Sequence, residues 1–354
     1  MWLTSSSIGR KFVMAITGIC LVLFVTFHCL MNSVALLWPA AYNVICQFLG
    51  ANWYALVASA GLAFLFIMHI IYALWLTIQN RRARGADRYA VSSRPPQVEW
   101  SSKNMLVLGI VVLAFLAIHL IQFWAKMQLA ELTTHELSAF PMVEGVPAAP
   151  HFGTLYLQIA FSQWWTLVVY LIGFGALWLH MNHGFWSMFH TIGWNSNIWI
   201  ERLKKIACWW TSIVIALFAA QAILFTVQAH NKFFVNDPAL QEQYVESIAE
   251  AATPVIEEFI ADYNQAGQLS QMMRSDAPIR QFMSEKGEYY KAKFAPFAAI
   301  SATAAAQSNQ VLGTAGQIIN MINEYSQPQE PALEQEETEV EALEVTEPQS
   351  ETNI

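Results

Sequence analysis

Four histidines of this 354-residue chain, His28, His69, His119 and His180, each fall inside a long apolar stretch. An ionisable side chain is costly to place in a bilayer, which makes each of them a functional candidate by default. Imidazole offers two chemistries there. It can ligate a transition metal through an unprotonated ring nitrogen, or it can pass a proton between its two nitrogens. The plain alternative for any one of them is a neutral ring bonded to a neighbouring helix, as polar residues often are in membrane bundles. One histidine in each of four successive stretches favours chemistry over helix-to-helix glue.

Depth makes the set more specific, because an α-helix rises about 1.5 Å per residue. His28 follows Lys11, and His119 follows Lys103, by distances that place both rings roughly 24 to 26 Å from the basic end of their helices. His69 precedes Arg81 by roughly 18 Å, and His180 precedes a helix break expected at Gly193-Trp194. Two levels with two histidines each suit two six-coordinate haem irons, since each iron needs an imidazole on either face, projecting inward from facing helices. The expected pairs are His28 with His119, and His69 with His180. His183 lies at i+3 from His180 on nearly the same helix face, so spacing alone leaves that position open between the two. His190 is expected near a helix end, against water or a haem propionate, and His135, His151 and His230 on the surface. Cys20, Cys29, Cys46 and Cys208 show no metal-type spacing and no C-x-x-C-H motif, so any haem is held by ligation alone.

The elements that must position these rings follow from composition. The chain is 55% hydrophobic and 12% charged, against about 25% charged for an average soluble domain. Stretches long enough to cross ~30 Å of hydrocarbon run over Phe12 to Leu37, Trp53 to Gln79, Asn104 to Met127, Tyr156 to Phe189 and Ile206 to Val227. The first is too long and lacks the small-residue site of a cleaved signal peptide. Arg10, Lys11, Arg81, Arg82, Arg84, Arg88, Arg94, Lys103, Arg202, Lys204 and Lys205 fall on one side, with Lys126 on the other. The positive-inside rule then puts the N-terminus in the cytoplasm, and five spans put everything after about Gln228 outside. The expected class is an all-α membrane protein: a five-transmembrane-helix bundle with two haems stacked across the membrane, plus a C-terminal helical and disordered extension. The expected domains are 1–230, a transmembrane dihaem unit; 231–328, an extracytoplasmic helical extension; and 329–354, an acidic disordered tail.

Within the extension, Thr253-Pro254 reads as a helix start, and a second helix is expected over Ala298 to Tyr325. Gly85 and Pro95-Pro96 mark a non-helical loop, and the segment from Gln128 to Gly153 is long enough to cap the bundle. The net charge of -8 is concentrated in the last 26 residues, which hold nine glutamates and no Lys or Arg, the composition of a disordered end. No nucleic-acid partner is expected.

Several stretches, taken in order, carry a resemblance. They are Ser5-Ser6-Ser7-Ile8-Gly9-Arg10-Lys11-Phe12-Val13-Met14 with Thr17-Gly18, His28-Cys29-Leu30-Met31-Asn32, Trp100-Ser101-Ser102-Lys103-Asn104-Met105, and His180-Met181-Asn182-His183-Gly184-Phe185-Trp186-Ser187. Over about 1–230 the chain resembles the cytochrome b membrane anchor of bacterial succinate:quinone oxidoreductases, the single-subunit, two-haem type of succinate dehydrogenases and fumarate reductases. The resemblance implies haem b ligands at His28, His69, His119 and His180, with His180 rather than His183 the ligand of the fourth span. It implies an iron-sulfur subunit and a flavoprotein subunit on the cytoplasmic face of a bacterial inner membrane, the dicarboxylate site being on the flavoprotein. It further implies that electrons pass between the iron-sulfur subunit and menaquinone by way of the inner haem and then the outer one. Arg10 and Lys11 could pair with propionates, although topology alone also explains them.

The chain departs from the family pattern in three places. It has no Asp or Glu from Cys29 to Met68, and Trp178 stands where some fumarate reductases carry a glutamate; both argue for the succinate-oxidising members. Familiar members also end near Val227. The competing readings are a transporter using buried histidines for protons or substrate, and a structural anchor without haem. The former predicts broken, polar helices near the midplane, and apart from Gly173 and Gly175 the spans show little of that.

Overall fold

Each apolar stretch forms a helix because in hydrocarbon every backbone N–H and C=O must find its partner within the chain, and an α-helix does this residue by residue. The computed structural model describes residues 6–50, 52–84, 100–133, 139–194, 196–301 and 309–326. The loop at Gly85 and Pro95-Pro96, Arg88, Arg94, His135 and the 329–354 tail lie outside the described residues. Among the described residues, five helices are long and apolar enough to cross a membrane. They are α1 (Ser7–Leu37), α3 (Trp53–Arg84), the rod that begins as α4 (Trp100–His119), α7 (Trp164–Thr191) and α8 (Asn197–His230).

Local chemistry sets the ends of these helices. Ser6 caps α1, its hydroxyl accepting from Gly9 N at 2.9 Å, and Ser196 caps α8 through Trp199 N. The expected break at Gly193-Trp194 is present: α7 ends at Thr191, and Gly193 takes a φ of +104° that a side chain would strain. The first rod continues after Trp38 as α2 (Pro39–Phe48), with proline at its first turn. Threonines inside the spans return their hydroxyls to their own helix, as Thr211 does to Ala207 O at 2.7 Å and Thr226 to Ala222 O at 2.7 Å.

Neighbouring spans run antiparallel, and the basic residues gather at one end of the bundle. The Arg10 guanidinium lies 5.0 Å over the Trp75 ring near the end of α3, and Lys204 Nζ lies 5.1 Å over Trp186 near the end of α7. Packing around α7 and α8 centres on Cys29, Met181 and Val214. Polar side chains add bonds between helices: Gln221 Nε2 donates to Ser33 Oγ at 2.7 Å and to Cys29 O at 3.1 Å, and Trp178 Nε1 donates to Ser212 Oγ at 3.0 Å. Gly173 lets α7 approach α4 so closely that a Cβ there would overlap the Phe115 ring.

The end opposite the basic residues is more elaborate than a loop. After His119 the third rod widens into a π-helix, Leu120–Leu129, before one more α-turn, α5 (Ala130–Thr133). A short hairpin follows, β1 (Met142–Val143) pairing with β2 (Val146–Pro147). The fourth apolar stretch, expected as one span from Tyr156, is two helices. Nearly every residue of α6 (Gly153–Phe161) is buried, and α7 starts afresh at Trp164 after Ser162 and Gln163. Burial of α6 on all sides explains why hydropathy could not separate it from the span that follows.

By its contacts the chain divides after Ser247 into two units. The first therefore includes α9 (Phe233–Asn236) and the start of α10 (Pro238–Met273). Phe234, Val235, Leu240 and Tyr244 are all buried there. In the second unit, the rest of α10 joins α11 (Ala277–Ser301) and α12 (Gln310–Ser326) around buried Phe259, Tyr290, Phe294, Leu312 and Ile318. Two expectations change here. Helix α10 runs straight through Pro254 instead of starting at it, because Ala252 and Ile256 on either side are both buried and hold the helical turn together where the proline removes one hydrogen bond. The helix expected over Ala298–Tyr325 is divided, α11 ending at Ser301 and α12 beginning at Gln310, with Asn309 Oδ1 accepting from Val311 N and Leu312 N as its cap.

Candidate functional site

The four span histidines meet in two pairs. The ring centres of His28 on α1 and His119 on α4 are 5.8 Å apart, and those of His69 on α3 and His180 on α7 are 6.3 Å apart. Three helices measure the separation of the two levels independently. On α1, Thr17 bonds to His69 while His28 belongs to the pair with His119; on α4, Gly109 lies against His180 while His119 belongs to the pair with His28; on α7, Tyr170 bonds to His119 while His180 belongs to the pair with His69. Each of these stretches is ten or eleven residues long, so the levels are about 15 Å apart along the helices.

Hydrogen bonds fix which ring nitrogen carries the proton. Thr17 Oγ1 gives its only proton to its own helix, with Val13 O at 3.0 Å and Met14 O at 3.1 Å. With the proton placed there, Thr17 Oγ1 accepts from His69 Nδ1, 3.1 Å away. Tyr170 donates to Gln122 Oε1 at 2.9 Å, so its oxygen accepts from His119 Nδ1 at 3.0 Å. At His28 the arrangement is reversed. The His28 carbonyl, which can only accept, assigns Nδ2 of Asn32 as the group facing His28, and Asn32 Oδ1 accepts from Tyr42 Oη at 3.1 Å. That Nδ2 donates to His28 O at 2.8 Å and to Nε2 at 3.2 Å. His69 and His119 thus carry their proton on Nδ1 and an open electron pair on Nε2, while the Nε2 pair of His28 accepts from Asn32. Partners of this kind fix the tautomer and orientation of a metal-binding imidazole. His180 Nδ1 is buried and has no hydrogen-bond partner.

The two levels have different walls. Phe24 stacks on His28 at 5.5 Å, Phe218 lies 6.1 Å from it, and Phe115 and Phe123 flank His119 at 6.1 and 5.3 Å. At the other level small residues line the rings. A Cβ on Gly18 would lie 3.9 Å from His69 Cε1, and one on Gly109 would lie 3.6 Å from His180 Cε1.

Two imidazoles that ligate one metal from opposite sides, with metal–nitrogen bonds of about 2 Å, have ring centres about 6 Å apart. Both pairs match that spacing, and one ring of each, His69 and His119, presents an open Nε2 electron pair for ligation. The residues present therefore fit a haem iron at each level. Among the described residues, no group of three or more His, Cys, Asp or Glu could hold a metal ion, and each histidine pair supplies two imidazoles.

The other histidines fall outside these pairs. His183 meets Trp186 edge-on at 4.9 Å, and it is the His180 ring that lies 6.3 Å from His69. His190 and His230 are exposed at the ends of α7 and α8, His230 Nδ1 donating to Thr226 O at 2.8 Å. His151, expected on the surface, is instead half-buried beside Phe152; its Nε2 lies 3.0 Å from Ser247 Oγ, and burial lowers its pKa from the ordinary histidine value.

The sequence shows Thr17 and Asn32 only as members of the resembling stretches and gives no sign of Gln122 and Tyr170, because none is charged and each is common in membrane helices. Trp178 points at Ser212, away from both pairs. An acid does reach the connection between the first two spans, but it comes from α5: a Cβ on Gly50 would fall on the Glu131 carboxylate. Comparison of the chain with protein-family models, curated proteins and solved structures finds no match.

Proposed function

We propose that this chain is a dihaem cytochrome b, the membrane anchor of a succinate:quinone oxidoreductase, and that it carries electrons between an iron-sulfur partner subunit and menaquinone. What supports the reading is the pairing itself: two facing histidine pairs, each at the spacing of a bis-imidazole metal centre, at two levels of one apolar bundle. His28 and His119 would hold one haem b, and His69 and His180 the other. A haem held between two imidazoles supplies one-electron chemistry with no site open to substrate.

The protein's own groups do the rest. Thr17 and Tyr170 accept the Nδ1 protons and so keep the Nε2 electron pairs directed inward. Phe24, Phe115, Phe123 and Phe218 wall the His28 level with apolar rings, and low polarity of this kind is one of the levers that sets a haem potential. On the positive-inside rule the basic end faces the cytoplasm, where the iron-sulfur subunit and its flavoprotein would dock in a bacterial inner membrane. The His28–His119 level then lies toward the outside, nearer the exchangeable menaquinone, and dicarboxylate chemistry belongs to the flavoprotein.

The test is a dithionite-reduced minus oxidised spectrum of the detergent-purified chain, with haem counted per polypeptide. Two b-type haems in the wild type are expected, with one component lost in His28→Ala or His119→Ala and the other in His69→Ala or His180→Ala. A folded wild-type chain that binds no haem when supplied with it would refute the reading and favour a transporter.

A further inference from the structure

We propose that α2 is a membrane-surface element: its exposed face lies in the bilayer interface opposite the basic end of the bundle, with phospholipid as its partner, while its buried face holds α6 and the start of α10. Lipid contact there does not depend on whether the histidine pairs bind haem.

A helix that faces water buries its apolar side and exposes its polar one; α2 does the opposite. Tyr42 and Asn43 are buried and carry the polar bonds. Tyr42 Oη donates to Asn32 Oδ1 at 3.1 Å, Asn43 Nδ2 donates to Gln243 Oε1 of α10 at 2.9 Å, and Asn43 Oδ1 accepts from Thr154 N of α6 at 3.0 Å. On the other side Ala41, Val44 and Phe48, at i, i+3 and i+7, form one exposed face. Val44 is 54% and Phe48 61% exposed. Trp38, 66% exposed, extends the apolar surface at one end, and Trp53, 76% exposed, at the other. Gln47 is the one polar side chain exposed within α2, and from Cys29 to Met68 the chain holds no Asp, Glu, Lys or Arg.

Two rulers put this face at the level of the far headgroups. Arg10 lies over Trp75, which marks the basic end on α1 and α3 together. Along α1, Leu37 is about 40 Å from Arg10, and along α3, Trp53 is about 33 Å from Trp75. A bilayer has about 30 Å of hydrocarbon and about 40–45 Å with its headgroups. At that level the chain turns. Tyr42 Oη reaches Asn32, ten residues back, which a straight helix would hold about 15 Å away along its axis. The bend is at Trp38, whose φ of −144° and ψ of 82° are not helical, so α2 leaves the line of α1 instead of extending it into water. Lipid is the partner because the exposed face continues the lipid-facing surface of the spans, with exposed Leu30 before it on α1 and exposed Val57 after it on α3. Tryptophan, here at both ends, is a residue of membrane interfaces. The final carbonyls of α2 are closed within the chain: Phe48 O accepts from Asn52 Nδ2 and from Tyr54 Oη, each at 2.7 Å, and Ile45 O from Leu49 N at 2.9 Å, as surroundings poor in water require.

The test places nitroxide labels on the full chain in phospholipid liposomes and compares their collisions with oxygen, which concentrates in lipid, and with a water-soluble nickel chelate. The label sites are Val44→Cys and Phe48→Cys, with Val57→Cys on α3 as the lipid reference and Glu288→Cys in the second unit as the water reference. All four positions are exposed, and Cys20→Ala, Cys46→Ala and Cys208→Ala remove the other accessible thiols. The ratio of oxygen to nickel collisions at Val44 and Phe48 is expected to be several-fold above that at Glu288 and below that at Val57. A ratio equal to that at Glu288 would show α2 facing water, and shielding from both reagents would show a second copy or another protein covering it; either result overturns the proposal. Should a label unfold the chain, p-benzoylphenylalanine at Phe48 of the otherwise unaltered protein gives a second readout. Irradiated in the same liposomes, it is expected to gain the mass of a phospholipid, and adducts to protein alone, or none, would overturn the assignment.

Discussion

Tyr170→Phe is the sharpest probe of the paired-histidine geometry, because it removes one oxygen and little else. Tyr170 is 4% exposed, and its ring is held edge-on by Phe115 at 5.1 Å, Phe161 at 5.4 Å and Phe174 at 5.9 Å. A phenylalanine keeps those contacts. What is lost is the acceptor for His119 Nδ1–H and the donor to Gln122 Oε1. Loss of a partner behind a metal-binding histidine typically weakens metal binding 10- to 100-fold, about 1.4–2.8 kcal/mol. An unpaired buried polar group independently costs about 1–3 kcal/mol, so the two routes agree.

The effect should be confined to one haem, because the other pair is about 15 Å away along α7 and has its own partner in Thr17. The assay is transfer of haem from the loaded chain to excess apomyoglobin, followed separately for the two spectral components. In Tyr170→Phe the component that depends on His119 should leave 10- to 100-fold more readily, with the His69 component unchanged. In Thr17→Val the pattern should invert. Equal loss of both components in either variant, or no change in both variants, would show that these hydroxyls do not set the histidines and that the ring pairs are not ligand pairs.

Two further outcomes follow from packing and charge. Gly173→Ala should destabilise the bundle by about 1–3 kcal/mol, the usual cost of overfilling a packed contact, because the new methyl would overlap Phe115; a detergent melt equal to wild type would contradict this. In the second unit, Lys286 and Tyr290 bonded to Asp262, and Lys293 with Tyr289 bonded to Glu258, hold both carboxyls below their usual range. A carboxyl lowered by folding stabilises above its unfolded value of about 4 and loses that contribution as pH falls through its folded value. Protection against hydrogen exchange in α10 and α11, taken relative to the intrinsic rate at each pH, should therefore fall on acidification below about pH 4, less so in Asp262→Asn. The change should be small, since these groups are largely solvated.

Five spans and two histidine levels were legible because hydropathy and histidine counts do not depend on how helices pack. The depth scale was less accurate. Arg81 was taken as the level of the basic ring, yet α3 continues to Arg84 and it is Trp75 that lies beside Arg10. The ring at Arg10 is therefore closer to His69 than Arg81 suggests, and the two levels are farther apart than the loop charges implied. The π-helix after His119 was invisible because no residue type codes for it. In α6, burial on every side erased the boundary with the span that follows.

The residues that set the histidines did leave one trace. Thr17 precedes His28, Gly109 precedes His119 and Tyr170 precedes His180, each by about three helical turns. A helix that supplies a ring at one level must pass the other level about three turns away, and whatever it presents there either touches the second pair or makes room for it. α1 and α7 present a hydroxyl and α4 presents a glycine, the two things a buried imidazole requires of its neighbours: a partner for its second nitrogen and space for its ring. α3 contributes to the His69 level alone. Its tenth residue before His69 is Ser59, which donates to Gln128 of the π-helix at 3.0 Å, so this span ties the third rod in place beyond the outer pair and leaves His119 to Tyr170. The spacing is a property of a two-level site built on shared helices, and it identifies supporting residues that composition alone passes over.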